Sequence, residues 1–179
     1  MKISIIAVLL ANFAFVPVQA QKVFSTKTAT VRFIAVDDKD IDATNAKAVS
    51  RLETNGKMSF IMLMKDFSFD MDLMQTHFNE EYVESDKFPR GFFNGQITNI
   101  KLVNFAKDGT YPITVKGSMQ VHGVNKAIQT NGVIVIAKGL PKATAKFTVS
   151  LKDFGIGGVL IKMVADQVDV EVVASYQYP

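Results

Sequence analysis

Apolar and polar residues alternate with a period of two through much of this chain. Ala143, Ala145, Phe147, Val149 and Leu151 alternate with Thr144, Lys146, Thr148, Ser150 and Lys152. Tyr111, Ile113, Val115, Met119 and Val121 alternate with Thr114, Lys116, Ser118, Gln120 and His122. Val168, Val170, Val172, Ala174 and Tyr176 alternate mostly with Gln167, Asp169, Glu171 and Ser175. Such alternation predicts strands with one dry face and one wet face. An antiparallel sheet permits that, whereas parallel sheets are usually covered on both faces. Less regular stretches predict further strands over residues 28–36, 45–53, 57–65, 92–102, 127–137 and 159–164. Turn signals separate several of them: Thr54-Asn55-Gly56, Lys107-Asp108-Gly109, Lys138-Gly139-Leu140-Pro141 and the glycines between Gly155 and Gly158. Eight or nine short strands imply a sandwich or a barrel. One segment departs from the period. Across residues 70–81, Leu73/His77 and Met74/Phe78 stand four apart behind Asp70 and Asp72. This predicts a short helix inserted between strands and ended before Phe88-Pro89.

The first twenty residues differ in kind. Lys2 precedes an apolar run from Ile3 to Val16, interrupted only by Ser4 and Asn12. Pro17 breaks the run, and Val18-Gln19-Ala20 ends it on a small residue. This pattern predicts a secretory signal peptide over residues 1–20 and a mature domain over 21–179. The run is shorter than the roughly 20 residues a membrane span needs. A length of 179 residues then provides one domain with a sizeable core. Cysteine is absent, so disulfides, thiolate metal sites and a lipidated N-terminal cysteine are excluded. The net charge of +3 is spread along the chain without a basic block. No nucleic-acid footprint and no stable membrane insertion are therefore expected.

Candidate chemistry is sparse. The two histidines, His77 and His122, are far apart, and there is no H-E-x-x-H, no G-x-S-x-G and no P-loop pattern. No catalytic residue, metal site or cofactor is expected. Gly155-Ile156-Gly157-Gly158 reads as a turn rather than a phosphate loop. The acids Asp66, Asp70, Asp72, Glu80, Glu81, Glu84 and Asp86 lack the spacing of a calcium loop and read as a solvated face. The apolar side says more. Met58, Phe60, Met62 and Met64 share one parity of a single strand, and Phe67, Phe69, Met71, Leu73, Met74 and Phe78 follow. Five of the eight methionines lie between Met58 and Met74. Methionine adapts to irregular, flexible apolar partners, although an ordinary Met- and Phe-rich core would give the same pattern.

Three longer motifs carry a family resemblance. Residues Leu73 to Pro89, LMQTHFNEEYVESDKFP, followed by Phe93-Asn94-Gly95, resemble the signature of the YceI-like family, in the branch found in Bacteroidetes-type bacteria. Gly117 to Lys126, GSMQVHGVNK, resembles its second signature, and Phe147 to Ile156, FTVSLKDFGI, its third. The resemblance covers essentially the whole mature chain. It implies an all-β fold: a lipocalin-like antiparallel barrel of about eight strands with a short inserted helix, in the periplasm or outside the cell. It also implies a long-chain amphiphile in the lumen, a polyisoprenoid or a fatty-acid derivative. The lumen would be lined by Phe33, Met58, Phe60, Met62, Met64, Phe67, Phe69, Leu73, Met74, Phe78, Phe93, Ile113, Met119 and Phe147. Many members carry a Ser-Ile-Asp-Thr-like stretch and an Arg-Asp pair before the helix. Here that region reads Lys65-Asp66-Phe67-Ser68-Phe69-Asp70, so polar head-group contacts are not carried over.

The expected function is lipid binding for transport, storage or sequestration. Two alternatives stand beside it: a hydrolase or isomerase acting on a lipid in the same cavity, and a stress-response barrel with a packed core. A homodimer is compatible with this sequence. Export has a direct check. N-terminal sequencing of the protein from a periplasmic or culture fraction should begin at Gln21. Full-length chain in the cytoplasm would contradict the signal-peptide assignment.

Overall fold

Each predicted strand has an apolar face to bury, and closing the sheet on itself buries all of them together. That is the architecture found in a computed structural model, which describes residues 21–157 and 165–178. The strands are β1 (Val23–Ala35), β2 (Asp42–Glu53), β3 (Lys57–Leu63), β4 (Ser68–Phe69), β5 (Arg90–Ile97), β6 (Gly109–Val121), β7 (Val124–Ala137), β8 (Leu140–Ser150) and β9 (Gln167–Ser175). Eight of them form an antiparallel barrel in chain order, β1-β2-β3-β5-β6-β7-β8-β9. Pairing of β9 with β1, from Thr30↔Val173 to Ala35↔Val168, completes the ring. The ninth, β4, is two residues long and pairs with Ala43 and Thr44 of β2 beyond the end of β3. Among the described residues no helix is long and apolar enough to cross a membrane.

The turns follow the residues. His122-Gly123 and Lys138-Gly139 both have positive φ, as two-residue hairpin loops require, and they join β6 to β7 and β7 to β8. The predicted helix is real but shorter. Helix α1 (Asp72–His77) is followed by a π-helical turn over Phe78–Tyr82. The strand predicted over 92–102 ends early, at Ile97, and Ile100–Leu102 form a 3₁₀ turn. Asn99 explains the ending. Its side chain accepts from the Thr114 N–H at 2.9 Å and donates to the Pro112 carbonyl at 3.1 Å. A side chain thus replaces the ladder and lets the backbone turn away. The strand predicted over 159–164 lies outside the described residues.

One end of the barrel is solid. Phe24, Leu52, Ile97, Ile134, Ile136 and Tyr176 are fully buried there, and Phe105, from the β5–β6 connection, stacks on Phe24 at 5.7 Å. Tyr176 brings a hydroxyl into this plug. Ser50 Oγ donates to the Ser59 carbonyl at 2.9 Å and accepts from the Tyr176 hydroxyl at 2.8 Å. Burial pushes the Tyr176 phenol up to about 12, so it stays a neutral donor.

The wall between β5 and β6 is thin by design of sequence. Gly95 and Gly117 face each other across the ladder. The Phe93 ring lies over both, 2.4 Å from where a Cβ on Gly95 would stand and 2.6 Å from one on Gly117. A Gly117 Cβ would also meet the Asn94 carbonyl at 2.5 Å. Gly117→Ala should therefore lower stability by about 1–3 kcal/mol, as overpacking does. A urea titration checks this as a lower midpoint with unchanged slope.

Candidate functional site

The other end of the barrel is hollow. Inward residues of β1, β3, β6, β8 and β9 meet there under the cap formed by α1 and the π turn. They leave an apolar cavity of about 130 Å³ beneath the cap. A second cavity, of about 90 Å³, lies deeper toward the solid end. Val31, Met62, Met119 and Val170 line both and separate them. Met62 and Met119 are thus the partition of one lumen, and an unbranched thioether changes rotamer at small cost.

Of the residues singled out in the sequence, Phe33, Met64, Phe67, Phe69, Met74 and Phe78 wall the upper cavity, together with Met62 and Met119. Met58, Phe60, Phe93, Ile113 and Phe147 line the deeper one. Leu73 alone of the predicted residues lines neither. It is 68% exposed. On a single helical turn Met74 and Phe78, four apart, take the inner face, and the adjacent residue is rotated about 100° outward. The sequence reading missed several wall residues. Val115, Val149, Val168, Val170 and Val172 belong to the same alternating strands and could have been added by parity, and Leu151 continues that parity as the first residue of the 3₁₀ turn after β8. Ile41, Val83, Phe154, Ile156 and Ala165 come from connections, where no period announces them.

The cap is held by aromatic contacts. Phe33, Phe67, Phe69 and Phe78 form a cluster with ring centroids 5.1–5.8 Å apart. Such pairs contribute about 0.5–1.5 kcal/mol each beyond their burial. A polar clasp fastens the rim beside it. His122 Nε2 lies 2.9 Å from Glu84 Oε2, and Nδ1 lies 3.2 Å from the Phe154 carbonyl. Both partners are acceptors, so only the doubly protonated ring donates to both. Phe88 packs edge-on against the imidazole, centroids 4.5 Å apart. One side chain thereby joins the β6–β7 turn, the segment after the helix and the 3₁₀ turn after β8. The His122 hydrogen bond is the main reason that the Glu84 carboxyl lies below its ordinary range, with Lys87 adding to it. On the β1–β2 wall, the Arg32 guanidinium grips Asp42 with two nitrogens and lowers its carboxyl likewise.

Few polar groups line the lumen. Among its described lining residues the polar side chains are the hydroxyls of Tyr82, Thr130 and Thr144, without a carboxylate, imidazole or amine. Burial raises the Tyr82 phenol, with Glu81 adding to it. No group of three His, Asp or Glu side chains is placed to hold a metal among the described residues. Both cavities are lined almost wholly by apolar side chains, so an apolar occupant would remove that surface from water, at roughly 25 cal/mol per Å² buried.

A closed eight-stranded antiparallel barrel with an apolar lumen under a helical cap is a lipocalin-like β-barrel. The chain belongs to the YceI-like family: the family model for the YceI-like domain matches residues 13–176. Solved structures share the fold at low sequence identity. A polyisoprenoid-binding domain from Saccharophagus degradans, implicated in plant cell wall breakdown, aligns with TM-score 0.74 and 12% identity, over 88% of this chain and 99% of that one. BcnA of Burkholderia cenocepacia aligns with TM-score 0.69 and 10% identity, over 83% and 96%. The YceI protein of Campylobacter jejuni aligns with TM-score 0.56 and 11% identity, over 99% and 92%. No curated protein sequence matches the chain.

The clasp and the Arg32–Asp42 pair imply an acid response. Both carboxyls are lowered in the fold, so their stabilisation is complete above the ordinary carboxylate range. It is lost as pH falls through their folded values. Melting temperature should fall on acidification below about pH 4, and the fall should be shallower in Glu84→Gln. Hydrogen exchange at low pH should report opening first around residues 84–88 and 151–156.

Proposed function

We propose that this protein is an exported carrier for a long-chain amphiphilic lipid, such as a polyisoprenoid or a fatty-acid derivative. The lipid lies in the lumen for transport, storage or sequestration and leaves it chemically unaltered. The observation that carries this reading is the lumen itself: an almost wholly apolar space, walled by strands and the helical cap, beside a solid half-barrel. A chain reaching both compartments displaces Met62 and Met119, which are suited to moving. The Saccharophagus neighbour, described as polyisoprenoid-binding, supports the ligand class. Lys2 and the apolar run after it support export. The lack of an acid–base pair among the described lining residues supports carriage over catalysis.

Organic extraction of the purified protein followed by mass spectrometry should recover a long-chain lipid in near-equimolar amount. Two variants of the partition sharpen the test. Truncating a Met in a close-packed core costs about 2–5 kcal/mol. Met62 is half-buried and faces the cavities, so Met62→Ala should cost about 1 kcal/mol or less once both proteins are delipidated. Met62→Lys places an ammonium in a dry lumen and should abolish lipid copurification. A strongly destabilised Met62→Ala together with a lipid-loaded Met62→Lys would show that this strand faces a plain core.

A further inference from the structure

The ladder between β7 and β8 stops early. It runs from Ala137↔Leu140 to Gly132↔Ala145 and no further. Both strands continue, β7 back to Val124 and β8 on to Ser150. The same register would join Asn131 to Lys146 and, four residues on, Ala127 to Ser150; among the described residues these pairs do not form. Each strand keeps its other neighbour over this length. β7 stays on β6 as far as Val121↔Val124, and β8 stays on β9 as far as Ser150↔Gln167. The strands therefore part and leave a window in the barrel wall between two facing edges. Gly132 marks the parting point. A Cβ there would lie 2.5 Å from the Thr144 carbonyl, so the last paired position admits only glycine. The Thr130 hydroxyl, bonded to the Asn131 carbonyl at 3.1 Å, lies 3.4 Å from the Lys146 carbonyl across the opening. The deeper cavity reaches this window, because half-buried Ile128, Thr130 and Phe147 line it from either side.

Among the described residues one cation stands on the inner face of the window. Lys126 is the ladder partner of Met119. Directly opposed residues in an antiparallel pair share a face, and Met119 lines both cavities. The Lys126 stem thus leaves β7 on the lumen side, yet the residue is exposed. Exposure from an inward position is what the missing neighbour strand permits. The stem can follow the apolar wall while the ammonium sits at the lip. Among the described residues it makes no ion pair and no side-chain hydrogen bond.

We propose that Lys126 is the head-group site. It holds the anionic head, phosphate or carboxylate, of an amphiphile whose chain runs through the β7–β8 window into the lumen. The proposal rests on the carrier reading, and it selects anionic over neutral lipids of equal chain length.

The test uses delipidated mature protein and four probes: palmitate, hexadecanol, geranylgeranyl phosphate and geranylgeraniol. Each competes against a neutral fluorescent apolar dye. In the parent protein the anionic member of at least one pair should bind about tenfold more tightly than its alcohol, the scale of one charge-assisted hydrogen bond. Which pair shows the preference identifies carboxylate or phosphate as the source. Lys126→Met keeps the apolar stem and should bring acid and alcohol to equal affinity. Lys126→Arg should retain the preference, as should Lys138→Met at the solid end. Equal binding of acids and alcohols by the parent, or a preference that survives in Lys126→Met, would overturn the site while leaving the carrier reading intact. Failure of all four probes to displace the dye would overturn both.

Discussion

Pairing of β1 with β9 is the contact on which the rest of the molecule depends. It joins residues 30–35 to residues 168–173, nearly the full length of the described chain. Every other neighbouring pair in the barrel is consecutive in the chain, apart from the small insertion of β4 and the helix. Without the closing ladder the meander would be an open sheet with two free edges and an apolar face turned to water, which favours aggregation. With it, every inward side chain acquires neighbours from the opposite wall. The lumen exists only once this pairing has formed.

Closure alone does not decide what fills the lumen. At the solid end, large residues from all sides and from the β5–β6 connection meet on the axis, and the Ser50–Tyr176 bond satisfies the buried hydroxyls. At the hollow end, rings and thioethers line the wall around an apolar cavity. The Phe93 ring lies over Gly95 and Gly117 on the inner wall, where it lines the deeper cavity. The aromatic cluster spends its surface on holding the cap. The result is a rigid half that carries stability and a compliant half that carries a space. Compliance is concentrated in Met62 and Met119, the His122 clasp and the parted strands β7 and β8. All of these surround the hollow end.

Much of this could be read before any coordinates. Period-two alternation identified the strand faces because the pleat sends successive side chains to opposite sides wherever a strand forms. That local rule placed Met58, Phe60, Met62, Phe93, Ile113, Met119 and Phe147 on the lumen wall. The helical spacing of Met74 and Phe78 placed them under the cap for the same local reason. It failed for Leu73, since a one-turn helix shows no second turn by which to choose its inner face. It also failed for Ile41, Val83, Phe154 and Ile156, which sit in connections without a period. The early end of β5 escaped because the competing bonds of Asn99 reach a strand neighbour distant in sequence.

By itself, then, the sequence determined the strand faces, the tight turns, the inserted helix and, through its motifs, the YceI-like family. It did so because pleat, turn chemistry and helix period act over a few residues. Only the tertiary structure decided which stretch of the inner face is packed and which is hollow. That depends on the summed volumes of side chains brought to one level of the barrel from strands far apart in the chain. The same holds for Lys126. Its parity was legible, but its exposure was not, because a lysine on an inward position is buried or free according to where the ladder of the next two strands ends.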